Sequence, residues 1–159
     1  MNDQISDLSL KFVRYGLGLG LIGLILGYVP LGHYLMSDSM PSCPSAPIHG
    51  HTILLSMLGM PLFGLLYKNM PGWSAAADQI PLGQIKLHLT LSVIGVIGVV
   101  FNGTLGYEFF NHYMQQGFYY LEEEGQTVRN LWFGIDGIFL TIYAGGVGIL
   151  WYIFKKPSG

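Results

Sequence analysis

Six side chains in this sequence place metal-ligating or proton-transferring groups in or beside apolar segments. They are five histidines and one aspartate: His33, His49, His51, His88, His112 and Asp136. Ionisable groups are costly in apolar surroundings, so they mark functional sites by default when they occur there. Imidazole nitrogens ligate haem iron, zinc and copper, and a carboxylate can orient such a ligand. The residue types therefore predict a metal or haem site.

The composition predicts the surroundings in which these side chains lie. Only 10% of the 159 residues are charged, 51% are hydrophobic and the mean hydropathy is +0.47. Soluble domains carry about a quarter charged residues. These values exclude a soluble enzyme and a disordered chain. The net charge of −2 leaves no basic surface for nucleic acid. We expect a chain whose partner is the lipid bilayer.

Four apolar spans of bilayer-crossing length follow one another. They cover residues 14–31, 48–67, 82–107 and 131–154, separated by polar or proline-rich stretches. Each span must be helical, because helices satisfy their own backbone hydrogen bonds in lipid. The sequence predicts an all-α fold, a transmembrane four-helix bundle forming one integral membrane domain over 1–159. The first span lacks a small-residue cleavage site, so we expect it to be a retained helix.

Basic residues predict the orientation. Lysines and arginines precede helix 1, flank the second loop and follow helix 4, whereas the first loop has none. By the positive-inside rule both termini and the middle loop are cytoplasmic. We expect a multi-pass protein of a bacterial inner membrane.

Glycines recur on helix faces. Helix 1 carries Gly16, Gly20, Gly23 and Gly27 at helical spacing, and pairs recur in helices 3 and 4 (Gly95 and Gly98, Gly134 and Gly137, Gly145 and Gly148). Such faces allow close helix packing. They also make room for a flat cofactor, and the two interpretations are compatible.

Helix rise sorts the ionisable groups by depth. His49 and His51 begin helix 2 at the outer face, with His33, His112 and Asp136 near the same level. His88 lies about 9 Å inside the cytoplasmic end of helix 3. On a regular helix His49 and His51 point about 200° apart, so one can bind a ligand while the other faces elsewhere.

Two kinds of centre would use these histidines. A b-type haem needs one or two of them in an apolar slot, and its propionates would find Arg129, Asn130 and Trp132 at the outer start of helix 4. Arg129 and Trp132 are equally typical of interfacial anchors. Copper or zinc would use the same histidines with Met36, Met40 and Cys43, as in a membrane transporter or chaperone. A non-catalytic structural or assembly protein would bind neither.

Helix 2 carries the most specific pattern. The stretch from Pro47 to Tyr67, PIHGHTILLSMLGMPLFGLLY, resembles helix II of subunit I in haem–copper oxidases and nitric oxide reductases. In that family a histidine begins this helix and is an axial ligand of the low-spin haem near the outer face. The resemblance implies that role for His49, with His51 as the alternative. The chain also looks like short four-helix relatives of that subunit, whose third helix has a histidine near its start, here His88.

The resemblance has limits that bear on function. The family's catalytic copper histidines and cross-linked tyrosine lie on later helices without a counterpart here, so oxygen reduction and proton pumping are not implied. The second haem ligand must come from His33, His112, His51, a symmetry mate or another residue. We expect a membrane b-type haem protein for electron transfer or for binding O2 or NO. We expect a homo-oligomer, with an electron-donor protein or a quinol as its redox partner.

Two residues keep alternatives open. His88 and His49 differ in depth by roughly 15–20 Å, so they cannot share one iron. His88 would hold a second haem, with Met57, Met60 or a partner copy, or it packs between helices with Ser92 or Tyr67. Asp136 either orients a ligating histidine or is a protonated carboxyl group bonded to a neighbouring helix.

Overall fold

The computed structural model describes the backbone of residues 2–36, 51–69, 82–115 and 123–155. Side chains are described at 3–26, 51–69, 82–103, 127, 130, 131 and 133–155. All described residues are helical. The predicted all-α, four-helix architecture is therefore confirmed for this part of the chain.

The four helices are named in chain order. Helix α1 covers Asn2–Met36, α3 covers Leu82–Gln115 and α4 covers Glu123–Lys155. Helix α2 has two parts, a π-helical segment over Thr52–Gly59 and an α-helical segment over Met60–Asn69. Three helices are long and apolar enough to cross a membrane, over Asp3–Leu26, Leu82–Gly103 and Phe133–Lys155. This finding is compatible with a membrane protein, and the orientation of the termini stays a prediction.

Helix α1 begins about three turns before the predicted span at residue 14. Its first turns carry charges that lower their hydropathy, including an ion pair between Lys11 and Asp7 at 2.7 Å. The opposite face is apolar, and Ile5, Leu8 and Phe12 on it are buried. This i, i+3, i+7 spacing makes the first turns an amphipathic helix that packs on the bundle. A hydropathy average over the segment hides that face.

The π-helical segment of α2 ends at a proline. The backbone N–H of Met60 donates to the Leu55 carbonyl, five residues earlier, as in a π-helix. Pro61 follows and has no N–H, so it cannot donate to Ser56 at the same spacing. The sequence predicts a regular helix here, and the structure differs at this point.

Glycines of α1 allow close contact with α2. A Cβ at Gly16 would lie 2.6 Å from the Ser56 carbonyl oxygen and 2.8 Å from the Pro61 ring. A Cβ at Gly20 would meet the side chain of Met57, and one at Gly23 would meet Thr52. Side chains and backbone of α2 therefore fill this glycine face, which supports the close-packing interpretation for α1.

Helix α3 packs chiefly against α4, and glycines again permit the contact. A Cβ at Gly95 would lie 2.8 Å from the Cβ of Tyr143, and Gly98 faces the ring of Phe139. The glycines of α4 itself mostly lack such a neighbour. Nothing lies within 4 Å of a Cβ built at four of them, namely Gly134, Gly137, Gly145 and Gly148. Helix α4 thus has one glycine-rich face that is not packed against described residues.

Candidate functional site

Three helices bring polar groups together at the first turn of α2. His51 of α2 places its Nδ1 atom 3.9 Å from a carboxylate oxygen of Asp136 on α4. The Asn102 side chain of α3 hydrogen-bonds the same carboxyl group. We call His51, Asp136 and Asn102 the outer cluster, after the side of the membrane that the sequence predicts for them. The 3.9 Å between His51 Nδ1 and the Asp136 oxygen is longer than a direct hydrogen bond. A small side-chain rotation or one bridging water would join the two groups.

A second contact between α2 and α4 fixes the outer cluster. The hydroxyl group of Tyr143 donates to the Leu55 carbonyl oxygen at 2.8 Å. Gly59 makes room for this hydroxyl group, because a Cβ there would lie 2.5 Å from it. Tyr143 follows Asp136 by seven residues, two helical turns, and so lies on the same face of α4. The two contacts together join this face of α4 to α2.

Exposure distinguishes the members of the outer cluster. The His51 side chain is 37% exposed and that of Asp136 is 15% exposed. The Nδ1 atom of His51 is the nitrogen that the carboxylate contact involves, at 3.9 Å. A carboxylate that hydrogen-bonds one imidazole nitrogen orients the other toward a metal, and a shift of about 1 Å would bring His51 and Asp136 to that arrangement.

The described residues contain no group of three or more histidine, cysteine, aspartate or glutamate side chains that could hold a metal ion. His51 with Asp136 forms a pair, and a haem iron takes only one or two protein ligands. A zinc or copper site with three or four protein ligands would need residues beyond the described side chains.

His88 forms a separate buried centre. Its side chain is 0% exposed, and its Nδ1 atom lies 2.7 Å from the Tyr67 hydroxyl oxygen. Aromatic rings surround it, with ring centroids at 4.8 Å for Phe63 and 5.1 Å for Phe12. We call His88 and Tyr67 the inner pair, after the side of the membrane that the sequence predicts for His88.

Helix α4 closes one side of the His88 ring. A Cβ at Gly146 would lie 2.9 Å from His88 Cδ2, the carbon bonded to Nε2, and 3.4 Å from the Ser92 hydroxyl oxygen. A porphyrin could not reach Nε2 from this side while α4 remains in place. The packing supports the interpretation of His88 as a polar residue held between helices by Tyr67, next to Ser92.

The two centres lie far apart along the bundle. Phe63, which contacts His88, follows His51 by twelve positions of α2, or roughly 15–18 Å of helix rise. His51 and His88 therefore cannot ligate one iron. Met57 and Met60, considered as partners of an inner haem, instead lie against Gly20 and Gly16 of α1.

The remaining predicted site residues lie outside the described side chains. His49, Met40 and Cys43 belong to 37–50, which the structure does not describe. Only the helical backbone is described at five others, which are His33 and Met36 in α1, His112 in α3, and Arg129 and Trp132 in α4. The roles expected for all of these residues stay predictions.

Sequence reasoning missed three residues that contribute to these two sites. Tyr143 and Asn102 make hydrogen bonds at or near the outer cluster, and Gly146 leaves room for the His88 ring of the inner pair. A signal existed for Tyr143, since it lies two turns from Asp136 in an otherwise apolar span. Asn102 likewise is a lone amide in the apolar part of α3.

The comparisons with known proteins give no identification. No protein-family model, no curated protein and no solved structure matches this chain.

Proposed function

We propose that this chain is a membrane b-type haem protein that transfers electrons or binds O2 or NO, with the haem held near the outer face. A histidine at or just before the first turn of α2 would ligate the haem iron. His51 is the residue that the described geometry favours, and His49 is the one that the family resemblance favours. The membrane is a bacterial inner membrane crossed several times, with both termini cytoplasmic.

The pairing of His51 with Asp136 carries this proposal. The partly exposed His51 imidazole has its Nδ1 atom 3.9 Å from a carboxylate oxygen of Asp136. We assign its other nitrogen, Nε2, as the iron ligand. A neighbouring carboxylate fixes the tautomer of a ligating histidine and raises its basicity. The pair fits a haem ligand better than a three-ligand metal site, because no third histidine, cysteine, aspartate or glutamate joins it among the described residues.

The haem would supply reversible one-electron chemistry, or an open coordination position for a diatomic gas. The protein's own contribution is to hold the ligand and set its basicity. Asp136 orients His51, Asn102 holds Asp136 by a hydrogen bond, and Tyr143 fixes the helix that carries the carboxylate.

The second axial ligand decides between the two activities. Histidines His33, His49 and His112 are candidates, as is a residue of a second copy. A homo-oligomer is supported by the glycine-rich face of α4 that is not packed against described residues. Two ligands give an electron-transfer centre, and one ligand leaves iron open to gas. An electron-donor protein or a quinol would be the redox partner.

Absorption spectroscopy of the detergent-purified full chain tests the proposal. We expect a red protein with a Soret band that shifts on reduction with dithionite. Carbon monoxide shifts the reduced spectrum only if iron has an open position, which distinguishes gas binding from electron transfer. A colourless protein purified from haem-supplemented cells would refute the haem assignment.

Variants then test the ligand. His51→Ala is expected to remove or alter the Soret band, whereas His88→Phe leaves it unchanged because His88 belongs to the inner pair. Asp136→Asn is expected to keep the haem and raise its midpoint potential, since the ligand loses a neighbouring negative charge. If His49→Ala and His51→Ala each keep the full spectrum, the outer-haem assignment is wrong.

The alternatives give other outcomes in the same experiment. A copper or zinc transporter or chaperone would be nearly colourless and would bind the metal tightly, with loss of binding in His49→Ala or His51→Ala. A structural or assembly protein would bind nothing, and its function would tolerate both substitutions.

A further inference from the structure

The inner pair leaves one polar atom without a partner. His88 is 0% exposed, and its Nδ1 is bonded to Tyr67, but its Nε2 has no hydrogen-bond partner among the described residues. Buried polar atoms in folded proteins are almost always paired with protein or with ordered water. The imidazole is rigid and cannot turn Nε2 toward its own backbone, so a partner must come to it.

Hydrogen-bond chemistry identifies the donor and the acceptor in the inner pair. A phenol hydroxyl is the stronger donor and an unprotonated imidazole nitrogen is a good acceptor. Tyr67 therefore donates to Nδ1 of a neutral His88, and the proton of the ring lies on Nε2. The unpartnered atom is thus a donor, an N–H group that needs an acceptor.

A second unpartnered group lies one turn further along α3. The Ser92 hydroxyl is 0% exposed and has no partner among the described residues. Hydroxyl groups in these helices commonly donate to the carbonyl four residues earlier, as Thr90 does to Lys86 and Thr141 does to Gly137. Ser92 does not, so its oxygen remains available as an acceptor.

Gly146 brings the two groups to one place. The position of a Gly146 Cβ would lie 2.9 Å from the carbon next to His88 Nε2 and 3.4 Å from the Ser92 oxygen. Both unpartnered groups therefore flank the same point of the α3–α4 contact, in the interior of the bundle. A water molecule needs two or more polar partners in such a place, and here it has one donor and one acceptor.

We propose that His88 and Ser92 bind a buried water molecule beside Gly146, which extends the Tyr67–His88 hydrogen bond into a network of four members. Tyr67 donates to Nδ1, Nε2–H donates to the water, and the water donates to Ser92. This network is independent of the haem assignment.

Nuclear magnetic resonance of the full chain with histidine-ring 15N labels tests the site. The sample is kept reduced with dithionite, and the His88 signals are assigned by their loss in His88→Phe. We expect a protonated Nε2, an unprotonated Nδ1, and a cross-peak from Nε2–H to a long-lived water. Ser92→Ala should remove this cross-peak. Thr90→Ala, on the exposed face of α3, is the matched control and should keep it.

Each other result overturns the inference. An unprotonated Nε2 would show that Nδ1 carries the ring proton and donates to Tyr67, or that Nε2 binds a metal, and either result excludes Nε2–H as a donor to water. A protonated Nε2 without a water cross-peak in the wild-type chain would exclude the bound water. If Ser92→Ala fails to fold, the wild-type spectrum is sufficient to test the water. A cross-peak that persists in folded Ser92→Ala would exclude Ser92 as the second partner.

Discussion

The closest approach of α1 to α2 gives a sharp quantitative prediction. In Gly16→Ala the new methyl group would lie 2.6 Å from the Ser56 carbonyl oxygen and 2.8 Å from both the Met60 Cβ and the Pro61 ring. All three neighbours are rigid, since they are a backbone atom, a Cβ and a proline ring carbon. A normal van der Waals contact requires the helices to separate by roughly 0.8 Å.

The energetic cost follows from that displacement. Overpacking of a well-packed contact costs about 1–3 kcal/mol. Gly18 provides the matched control, because nothing lies within 4 Å of its Cβ position. Gly18→Ala should be neutral or stabilising by up to about 1 kcal/mol, from helix propensity alone. The two variants should therefore differ by about 1–4 kcal/mol.

Unfolding of both variants in detergent, followed by helical circular dichroism, measures this difference. Gly16→Ala should unfold at lower denaturant concentration or temperature than the wild-type chain, and Gly18→Ala should not. Equal stability of the two variants would refute the close α1–α2 contact. It would also reopen the interpretation of the α1 glycine face as a cofactor slot.

Three further substitutions test the other helix contacts by the same unfolding assay. Gly146→Ala should lower the free energy of unfolding by about 1–3 kcal/mol, because its methyl group meets the buried His88 ring. Neighbouring Gly145→Ala is the control and should lower it by nothing, since its methyl group faces open space. Equal losses in the two variants would contradict the α3–α4 packing. Tyr67→Phe should lose about 1–3 kcal/mol, since it leaves a buried nitrogen unpaired. Exposed Tyr152→Phe is its control, and a loss of the same size there would exclude a specific effect. Tyr143→Phe removes one hydrogen bond to a carbonyl and should cost about 1 kcal/mol, and unchanged stability would show that the bond is not maintained.

The helical architecture was predictable from sequence because lipid leaves few alternatives. Long apolar spans with rare charges must satisfy their backbone internally, and this constraint is independent of side-chain detail. The start of α1 was missed because its ionised residues Asp7 and Lys11 mask an apolar face that only the helical spacing of Leu8 and Phe12 reveals.

The sites were predictable only in outline. Depth along the helices placed Asp136 near the start of helix 2, and the structure brings it to His51. Rotation about the helix axes was not accessible, because it depends on packing between segments distant in sequence. For that reason the sequence could not choose between Tyr67 and Ser92 as the partner of His88, nor detect the bond from Tyr143.

The π-helical segment of α2 has a consequence for how this chain tolerates insertions and deletions. Each π-type bond encloses one more residue than an α-type bond, so Thr52–Gly59 holds excess chain between His51 and Pro61. Removing one residue there would let the segment become α-helical without disturbing the proline contact with α1. Because an α-helix turns further per residue than a π-helix, the shortened segment would still present His51 in nearly its present direction. A one-residue deletion is therefore expected to be tolerated in this segment, whereas the same deletion after Pro61 would turn the two parts of α2 by about 100° relative to each other.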